Sequence, residues 1–481
     1  MMIRKLKNKY MGLSEPVKAS LWFAICNILQ KGIALLSTPI FTRLLSTNEY
    51  GGYAVFQSWN GIFTILATLN LFLGGFGKGL IEFEKDKRRL TSSLLQLSTL
   101  ITTVVFLVYL CDIRFWTSIL NMSSTLMIAL FLELYTLPAF EFWSTEQRYE
   151  FKYRKLVALS LLMSIGSIIL GIITVLLSTQ RLEARVYSDA ICKAAVGIVL
   201  YCRIIKLGNH RVDTRYWKYG ILFNLPLIPH YLSTMILNQS DRILIDNIVS
   251  SSAAGMYSIA YTIGMMMQLI TNAVNNSFTP YTFMAIRDET YEKIRKNANF
   301  LCIFVALLMI VSMAFAPEII LIFAGKRYYD AIWVLPPVAA SVFFIFLYSL
   351  FSNVEYYFKK TKFIAVASML CAVVNLLLNY ILIPIYGYYA AGYTTLVCYI
   401  LYAFTHFVFM RKVCIDERIH LESIYNVKNI LLYSVAVLVI MLIMIFTYEY
   451  FVVRYLIILV IGIIGYLKRK KIIDIMKQLK I

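Results

Sequence analysis

Long apolar segments follow one another along almost the whole chain, and short polar segments separate them. A helix of about 20 apolar residues spans the ~30 Å hydrocarbon core of a bilayer. Backbone polar groups find no water there, so only helices or closed barrels can cross. The apolar segments begin near Val17, Tyr50, Thr91, Ile119, Leu156, Val186, Tyr219, Ala253, Ala298, Ile332, Phe363, Gly387, Asn429 and Glu449. They predict an all-α polytopic membrane protein with about 14 transmembrane helices.

The composition excludes an ordinary soluble enzyme. Hydrophobic residues make up 60% of the chain and the mean hydropathy is +0.72, whereas soluble domains are about 45–50% apolar. The net charge of +20 does not require a nucleic-acid partner, because basic residues collect in the cytoplasmic loops of membrane proteins. The 8 cysteines are scattered without C-x-x-C spacing, so we expect neither a disulfide framework nor a metal site. No cofactor is predicted.

The distribution of Lys and Arg predicts the orientation of the chain. If the N-terminus is cytoplasmic, most of the 46 basic residues fall in segments on the inner side. A minority, including Arg43, Arg181 and Arg185, fall in outer loops, and Lys31, Lys193 and Arg242 lie within helices. The first apolar run has no cleavage site, which predicts a retained helix. We therefore expect both termini to be cytoplasmic.

A weak internal repeat predicts two lobes. The segment Glu49–Phe56 resembles Ala253–Ala260, which aligns Tyr53 with Tyr257. The helices that precede these segments are the first and the seventh, so they run in the same direction, as a parallel repeat requires. We expect a six-helix lobe at residues 1–210, a second at 211–412, and a linker with a terminal helix pair at 413–481.

Polar residues recur at helical spacing on the first two helices of each lobe. A charged group inside an apolar helix costs about 2.5–3.5 kcal/mol, so it faces protein or a water-filled cavity. The stripes comprise Asn27, Lys31, Gln57 and Asn60 in the first lobe, and Asn238, Arg242, Asp246, Tyr257, Tyr261, Gln268 and Asn272 in the second. They predict a polar cavity shared by the lobes. Hydrogen bonding between packed helices is the alternative, as is pairing of Arg242 with Asp246.

Three acids are candidates for ion coupling: Glu133, Asp241 and Asp246. Glu133 has no basic residue within one turn of its own helix, and burial raises the pKa of such a carboxyl. A hydrogen-bonded neutral Glu133 without a role is the alternative. A proton or sodium gradient could drive the protein.

Catalysis is disfavoured. The outer loops are short, the four histidines are dispersed, and no Ser/His/Asp or Cys/His constellation occurs, whereas an enzyme acting on glycans needs positioned acid–base groups. We predict that the protein is not an enzyme, and a membrane glycan polymerase is the less favoured alternative.

Three stretches resemble the bacterial polysaccharide transporter family of the multidrug/oligosaccharidyl-lipid/polysaccharide exporter superfamily. They are STPIFTRLLSTNEYGGYAVFQSW from Ser37, NQSDRILIDNIVSSSAAGMYSIAYTIG from Asn238, and NNSFTPY from Asn275. The resemblance implies a flippase for O-antigen or capsule repeat units in the bacterial inner membrane. A small-molecule or drug exporter of the same superfamily is the alternative. A terminal helix pair departs from the family's usual twelve helices.

The resemblance also implies a substrate and partners. An undecaprenyl-diphosphate-linked oligosaccharide would move between leaflets by alternating access while its tail stays in membrane lipid. We expect Lys31, Arg43, Lys193 and Arg242 to contact the diphosphate or acidic sugars, with Arg43 and Arg242 matching the family's T-R-L-L and D-R arginines. Tyr53, Tyr257 and Tyr261 would stack on sugars, although tyrosine is also common at membrane interfaces. A polysaccharide polymerase and a chain-length regulator are expected partners.

Overall fold

The chain folds into long helices, as seen in a computed structural model that describes residues 12, 14–209, 212–360, 362–467 and 469. No strand occurs among these residues. The chain divides into two compact units, which we call unit 1 (Met1–Met235) and unit 2 (Ile236–Ile481). The lobe boundaries expected from the sequence stay predictions.

Unit 1 contains nine helices of the described chain and the start of a tenth. They are α1 Glu15–Leu44, α2 Thr47–Thr68, α3 Gly75–Glu82, α4 Lys87–Cys111, α5 Ile113–Leu120, α6 Ser124–Tyr149, α7 Tyr153–Leu177, α8 Arg181–Leu207, α9 Thr214–Asn224 and α10 Ile228–Ile248. Unit 2 begins within α10. Its other helices are α11 Ser251–Met265, α12 Gln268–Arg287, α13 Tyr291–Ala314, α14 Ala316–Phe323, α15 Leu335–Tyr357, α16 Lys362–Tyr386, α17 Tyr389–Asp416, α18 Leu421–Ile424, α19 Val427–Thr447 and α20 Phe451–Leu467.

The all-α membrane-spanning architecture is confirmed. Eleven helical segments of the described chain are long and apolar enough to cross a bilayer. Every apolar segment expected from the sequence coincides with a helix, and those outside the eleven fall on α2, α8 and α20. Fourteen crossings therefore stay a prediction. Large apolar side chains such as Leu36, Leu177 and Phe446 are exposed, as expected of surfaces that face lipid.

The connection between α1 and α2 shows why the chain turns where it does. Ser46 accepts a hydrogen bond from the Glu49 amide at 3.2 Å, and the Ser46 amide donates to the Glu49 carboxylate at 2.7 Å. This reciprocal capping box satisfies two amides that a helix start leaves unpaired. Only Leu45 and Ser46 separate the helices, so the polar start of α2 is fixed close to the end of α1.

Helix α8 is the centre of unit 1, because it packs against α2, α4, α6 and α7. The approach to α6 is very close: a Cβ added at Gly197 would lie 2.5 Å from the Thr136 carbonyl oxygen. Gly171 of α7 lies similarly near Arg185 and Phe41. Residues without a side chain therefore let three helices meet closely around the polar groups of α8.

Unit 2 is organised around α15 and α17, which pack extensively against each other. Helix α15 is buried along nearly its whole length and also contacts α11, α12, α13 and α19. A helix that is apolar on all sides belongs in the interior of a bundle. Polar side chains of α10, α16 and α17 meet one another within this unit.

Candidate functional site

Three charged residues form a stripe along α8 in unit 1. Arg185, Asp189 and Lys193 lie four residues apart, so they occupy one face of the helix. Their charges alternate in sign along that face. Arg185 and Asp189 are only 5% and 4% exposed, so their charges are stabilised by each other and by neighbouring polar groups.

Asp189, the acid of this stripe, accepts several hydrogen bonds. Its carboxylate accepts from Arg185 at 2.6 Å, from the Tyr53 hydroxyl at 2.5 Å and from Ser167. The Arg185 guanidinium carbon also lies 4.1 Å from the Phe41 ring centroid and 4.7 Å from that of Tyr53, within the range of cation–π attraction. Four helices thus converge on one buried ion pair.

Lys193, one turn further along α8, neutralises Glu133 of α6. The two groups are 2.7 Å apart, and Asn60 of α2 donates to the same carboxylate oxygen at 2.7 Å. Glu133 is 1% exposed, whereas the Lys193 side chain is 28% exposed. The isolation of Glu133 expected from its own helix therefore does not hold in the folded chain, because another helix supplies the cation.

A cavity of about 450 Å³ opens beside these groups, entirely within unit 1. Its wall includes Gln57, Arg185, Asp189 and Lys193, and α1 and α7 contribute Gln30, Ser164 and further hydroxyls. Gln30 donates to Ser164 at 3.3 Å. A volume of roughly 300–1,000 Å³ with a few placed polar groups is typical of small-molecule sites. The cavity offers charges of both signs and neutral donors and acceptors to a polar solute.

Unit 2 holds a second polar cluster, centred on Asp241 of α10. Asp241 is fully buried. Its carboxylate accepts from Tyr257, from Asn379 at 2.5 Å and from Thr395 at 3.1 Å. The neighbouring Asn375 has a buried side-chain nitrogen with no hydrogen-bond partner among the described residues. Neutral donors from three other helices thus surround this acid.

Arg242 points to a different set of partners from its neighbour Asp241. It donates to the Asn238 carbonyl at 2.8 Å and to the Gln239 side chain at 3.0 Å. Its guanidinium carbon lies 4.5 Å from the Tyr261 ring centroid. Tyr261 in turn donates to the Asn238 side chain at 3.2 Å. The structure therefore brings together five of the residues expected from the sequence, namely Asn238, Asp241, Arg242, Tyr257 and Tyr261.

Comparison with known proteins identifies the family. The family model described as "Polysaccharide biosynthesis protein" matches residues 17–286, which is more than half of the chain. The chain belongs to the polysaccharide biosynthesis protein family. The resemblance found in the sequence is thereby confirmed.

One relative of the chain is the Lsg locus putative protein 1 of Haemophilus influenzae. The two are 25% identical over 164 residues, which are 32% of this chain and 39% of the relative. The match thus spans about two fifths of the relative's length.

Solved structures show the fold. The lipid II flippase MurJ in its inward closed conformation is 14% identical, with a TM-score of 0.67 over 94% of this chain and 100% of that chain. An inward-facing MATE family multidrug resistance transporter of the MOP superfamily is 14% identical, with a TM-score of 0.58 over 83% of this chain and 99% of that chain. The chain therefore has the fold of these two proteins.

The other predicted residues lie outside these two clusters. Asn27, Lys31 and Asn272 are exposed, and Gln268 is half-buried at the start of α12. Arg43 is exposed and donates to the Pro39 carbonyl at 2.7 Å. Asp246 is buried and accepts from Ser251 at 2.5 Å. Their roles in binding or coupling stay predictions.

Two buried pairs were missed by sequence reasoning. Arg185 was assigned to an outer loop, although the successive four-residue steps from Arg185 to Asp189 and from Asp189 to Lys193 are a readable signal. Glu355 of α15 and His406 of α17 are both fully buried and lie 2.9 Å apart. Their separation of 51 residues leaves no local pattern. Among the described residues, no group of three or more His, Cys, Asp or Glu side chains could hold a metal ion.

Proposed function

We propose that the protein is a flippase that moves undecaprenyl-diphosphate-linked oligosaccharide repeat units, of an O-antigen or capsule, from the cytoplasmic to the outer leaflet. The observation that carries the proposal is the charged cavity of unit 1, which lies inside an apolar bundle of membrane-length helices. Polar groups left unsatisfied in hydrocarbon cost several kcal/mol each. A sugar chain and a diphosphate therefore need such a lining to cross. The family match to polysaccharide biosynthesis supports a glycan cargo.

The cavity residues divide into two roles in this proposal. Lys193, with its partly exposed ammonium group, meets the diphosphate or an acidic sugar. Gln57 and its neighbouring amides and hydroxyls take the neutral sugar hydroxyls. Arg185 and Asp189 hold the helices that form the wall. In this proposal the cargo crosses the membrane chemically unchanged, so the protein acts as a transporter and not as an enzyme.

Ion coupling is assigned to the buried acids. Asp241 has three neutral donors and the unpartnered Asn375 nitrogen close by. These surroundings suit a carboxylate that binds a proton or a sodium ion in one state of the transport cycle and releases it in another. Glu133 shares its cation with the cavity through Lys193. Because Lys193 also lines the cavity, a bound substrate anion would compete with Glu133 for this cation.

The proposed orientation places both termini in the cytoplasm and the protein in the inner membrane. A polysaccharide polymerase and a chain-length regulator would then receive the repeat units on the outer side. The distribution of basic residues supports this orientation.

The deciding experiment uses a strain that lacks the protein. Undecaprenyl-linked glycans are labelled with an impermeant glycan reagent on sealed, oriented vesicles. We expect the single repeat units of this strain to be confined to the cytoplasmic leaflet. Returning the wild-type gene should restore their delivery to the outer leaflet. Single units already in the outer leaflet would contradict a flippase and indicate a downstream polymerase.

A small-molecule exporter is the second candidate, favoured by the likeness to a MATE family multidrug resistance transporter. The carboxylates of Glu141 and Asp189 on the cavity wall could pair with an organic cation. In that case the deletion strain would accumulate no lipid-linked glycan and would instead become sensitive to cationic drugs.

A further inference from the structure

A second cavity in unit 1, of about 700 Å³, lies where the ends of five helices meet. The starts of α1, α4 and α7 and the ends of α6 and α8 all contribute to its wall. The positive-inside distribution predicts that every one of these helix ends is cytoplasmic. The cavity shares no lining residue with the one beside the charged stripe. On the predicted orientation it faces the cytoplasm, where the proposed function has the lipid-linked sugars made.

The wall of this second cavity is strongly basic. Six Lys or Arg side chains line it, against three carboxylates. The basic side chains are Lys87, Arg88, Lys152, Arg154, Lys155 and Arg203. Arg88, Lys155 and Arg203 are exposed, so a ligand can reach them. Arginine forks form paired hydrogen bonds with phosphate oxygens.

Glu150 holds two of the lysines in place and does not cancel the basic character of the wall. It accepts from Lys152 at 2.5 Å and from Lys87. These hydrogen bonds, first from Lys152 and then from Lys87, lower the pKa of Glu150 from its ordinary value. Glu150 is therefore ionised at neutral pH, and it pairs with both ammonium groups at the edge of the cavity.

The floor of the cavity is polar and includes one half-buried carboxylate, Glu146. Trp143, Gln147 and Thr91 are buried there, and Thr91 donates to Glu146 at 2.6 Å. A tryptophan beside amide and hydroxyl groups suits the face and hydroxyls of a sugar. The volume exceeds that of a diphosphate alone, so the first sugar has room below the phosphate groups.

We propose that this cavity binds the phosphate headgroup of a lipid at the cytoplasmic surface, with Arg88 and Arg203 contacting the phosphate oxygens. The binding chemistry does not depend on transport; only the identification of the lipid as the diphosphate-linked substrate rests on the proposed function. Basic residues that merely obey the positive-inside rule would be spread over loops. Here they surround a concave volume with an aromatic floor.

The test measures binding of farnesyl diphosphate to the purified full-length protein in phosphatidylcholine nanodiscs, with farnesol as the neutral probe. The variant is Arg88→Gln/Arg203→Gln. The matched control is Lys85→Gln/Lys206→Gln, which also removes two positive charges. Lys85 and Lys206 are exposed and lie close in sequence to Arg88 and Arg203, but they do not line the cavity. All four positions are exposed, so folding should be retained, and thermal unfolding checks it.

We expect the arginine variant to bind farnesyl diphosphate about tenfold or more weakly, because charge-assisted hydrogen bonds are lost. The control should change by about twofold or less, and farnesol binding should not change in either. Equal weakening in both proteins would overturn the proposal, since it would show general surface attraction. Unchanged binding in the arginine variant would overturn it as well.

Nanodiscs with added phosphatidylglycerol distinguish the source of the phosphate. If farnesyl diphosphate binding persists there, the site prefers a prenyl diphosphate; if it is displaced, the occupant is a phospholipid headgroup. Both results support a phosphate site. The leaflet assay is independent of these measurements, so failure of the flippase proposal would not be mistaken for failure of this one.

Discussion

Units 1 and 2 each contain a tyrosine that donates to a buried aspartate beside an arginine, but the two clusters are built differently. In unit 1, Tyr53 donates to Asp189, which is paired with Arg185. In unit 2, Tyr257 donates to Asp241, while Arg242 bonds elsewhere. Tyr53 and Tyr257 are the positions that the sequence repeat aligns. Their aspartates come from helices that are not equivalent in the repeat, so the same local chemistry has been assembled from different parts of the chain.

The clusters also differ in access. The unit 1 cluster borders a cavity of about 450 Å³, whereas Asp241 is fully enclosed by neutral donors. An ion pair beside a cavity can hold a polar cargo, and an enclosed acid can hold only a proton or a small cation. Cargo binding in unit 1 and ion coupling in unit 2 are therefore the roles that these surroundings favour.

The largest expected effect is on stability, in Arg185→Leu. This change leaves Asp189 buried without its cation, which should cost about 3–5 kcal/mol. Arg242→Leu is the matched change in unit 2 and should cost less, about 1–2 kcal/mol, since Arg242 contributes hydrogen bonds and ring contacts but no direct bond to Asp241. Thermal unfolding of the purified proteins in detergent measures both.

The double variant Arg185→Leu/Asp189→Leu serves as the control for charge. It should recover part of the loss, because no unpaired charge stays buried. If Arg185→Leu and Arg242→Leu lowered the free energy of unfolding equally, the contrast between Asp189, which is paired with an arginine, and Asp241, which is not, would be removed.

The second effect is on transport, in Lys193→Gln. Loss of the ammonium group should lower delivery of repeat units to the outer leaflet about tenfold or more, since a charge-assisted contact of roughly 1.5–3 kcal/mol is lost. Glu133→Gln/Lys193→Gln keeps the local charge balanced and should be equally impaired. Lys31→Gln, an exposed change on α1, tests the other helix cation that the sequence predicts to contact the substrate. Impairment of Lys31→Gln instead would place the cationic contact outside the unit 1 cavity.

The smallest effect on stability is expected for Asp241→Asn. The amide keeps one acceptor oxygen and loses one, so the cost should be about 1 kcal/mol. Transport by this variant should no longer respond to an imposed proton or sodium gradient, as measured by the leaflet assay in energised vesicles. Asp189→Asn should have the opposite pattern: it should destabilise the protein more strongly, but transport should still respond to the gradient. A gradient response that survives Asp241→Asn would separate unit 2 from coupling.

The helices could be located from the sequence because apolar length is a local property. The same holds for Asp241, Arg242 and Tyr257, which lie on two successive helices joined by a short turn. Their charge and spacing are visible in one stretch of sequence. The structure adds Asn379 and Thr395, whose distance along the chain hides them from such a stretch.

Glu133 shows why the contacts between distant helices could not be predicted from the sequence. Its partner Lys193 is 60 residues away, and a search within one helical turn sees only α6. Arg185 was lost for another reason, because counting basic residues near a helix end assigns them to loops even when the side chain is buried. Pairing between helices depends on how close they approach, and composition does not encode this distance.

The close contact of Gly197 with Thr136 has a mechanical consequence. Helices that touch backbone to backbone resist sliding or rolling at the point of contact, since no flexible side chain lies between them there to adjust. Helices α6 and α8, with Glu133 and Lys193 upon them, should therefore move as a single rigid piece during a transport cycle. The hinges that reshape the unit 1 cavity are then expected in α1, α2 and α7, the helices that complete its wall.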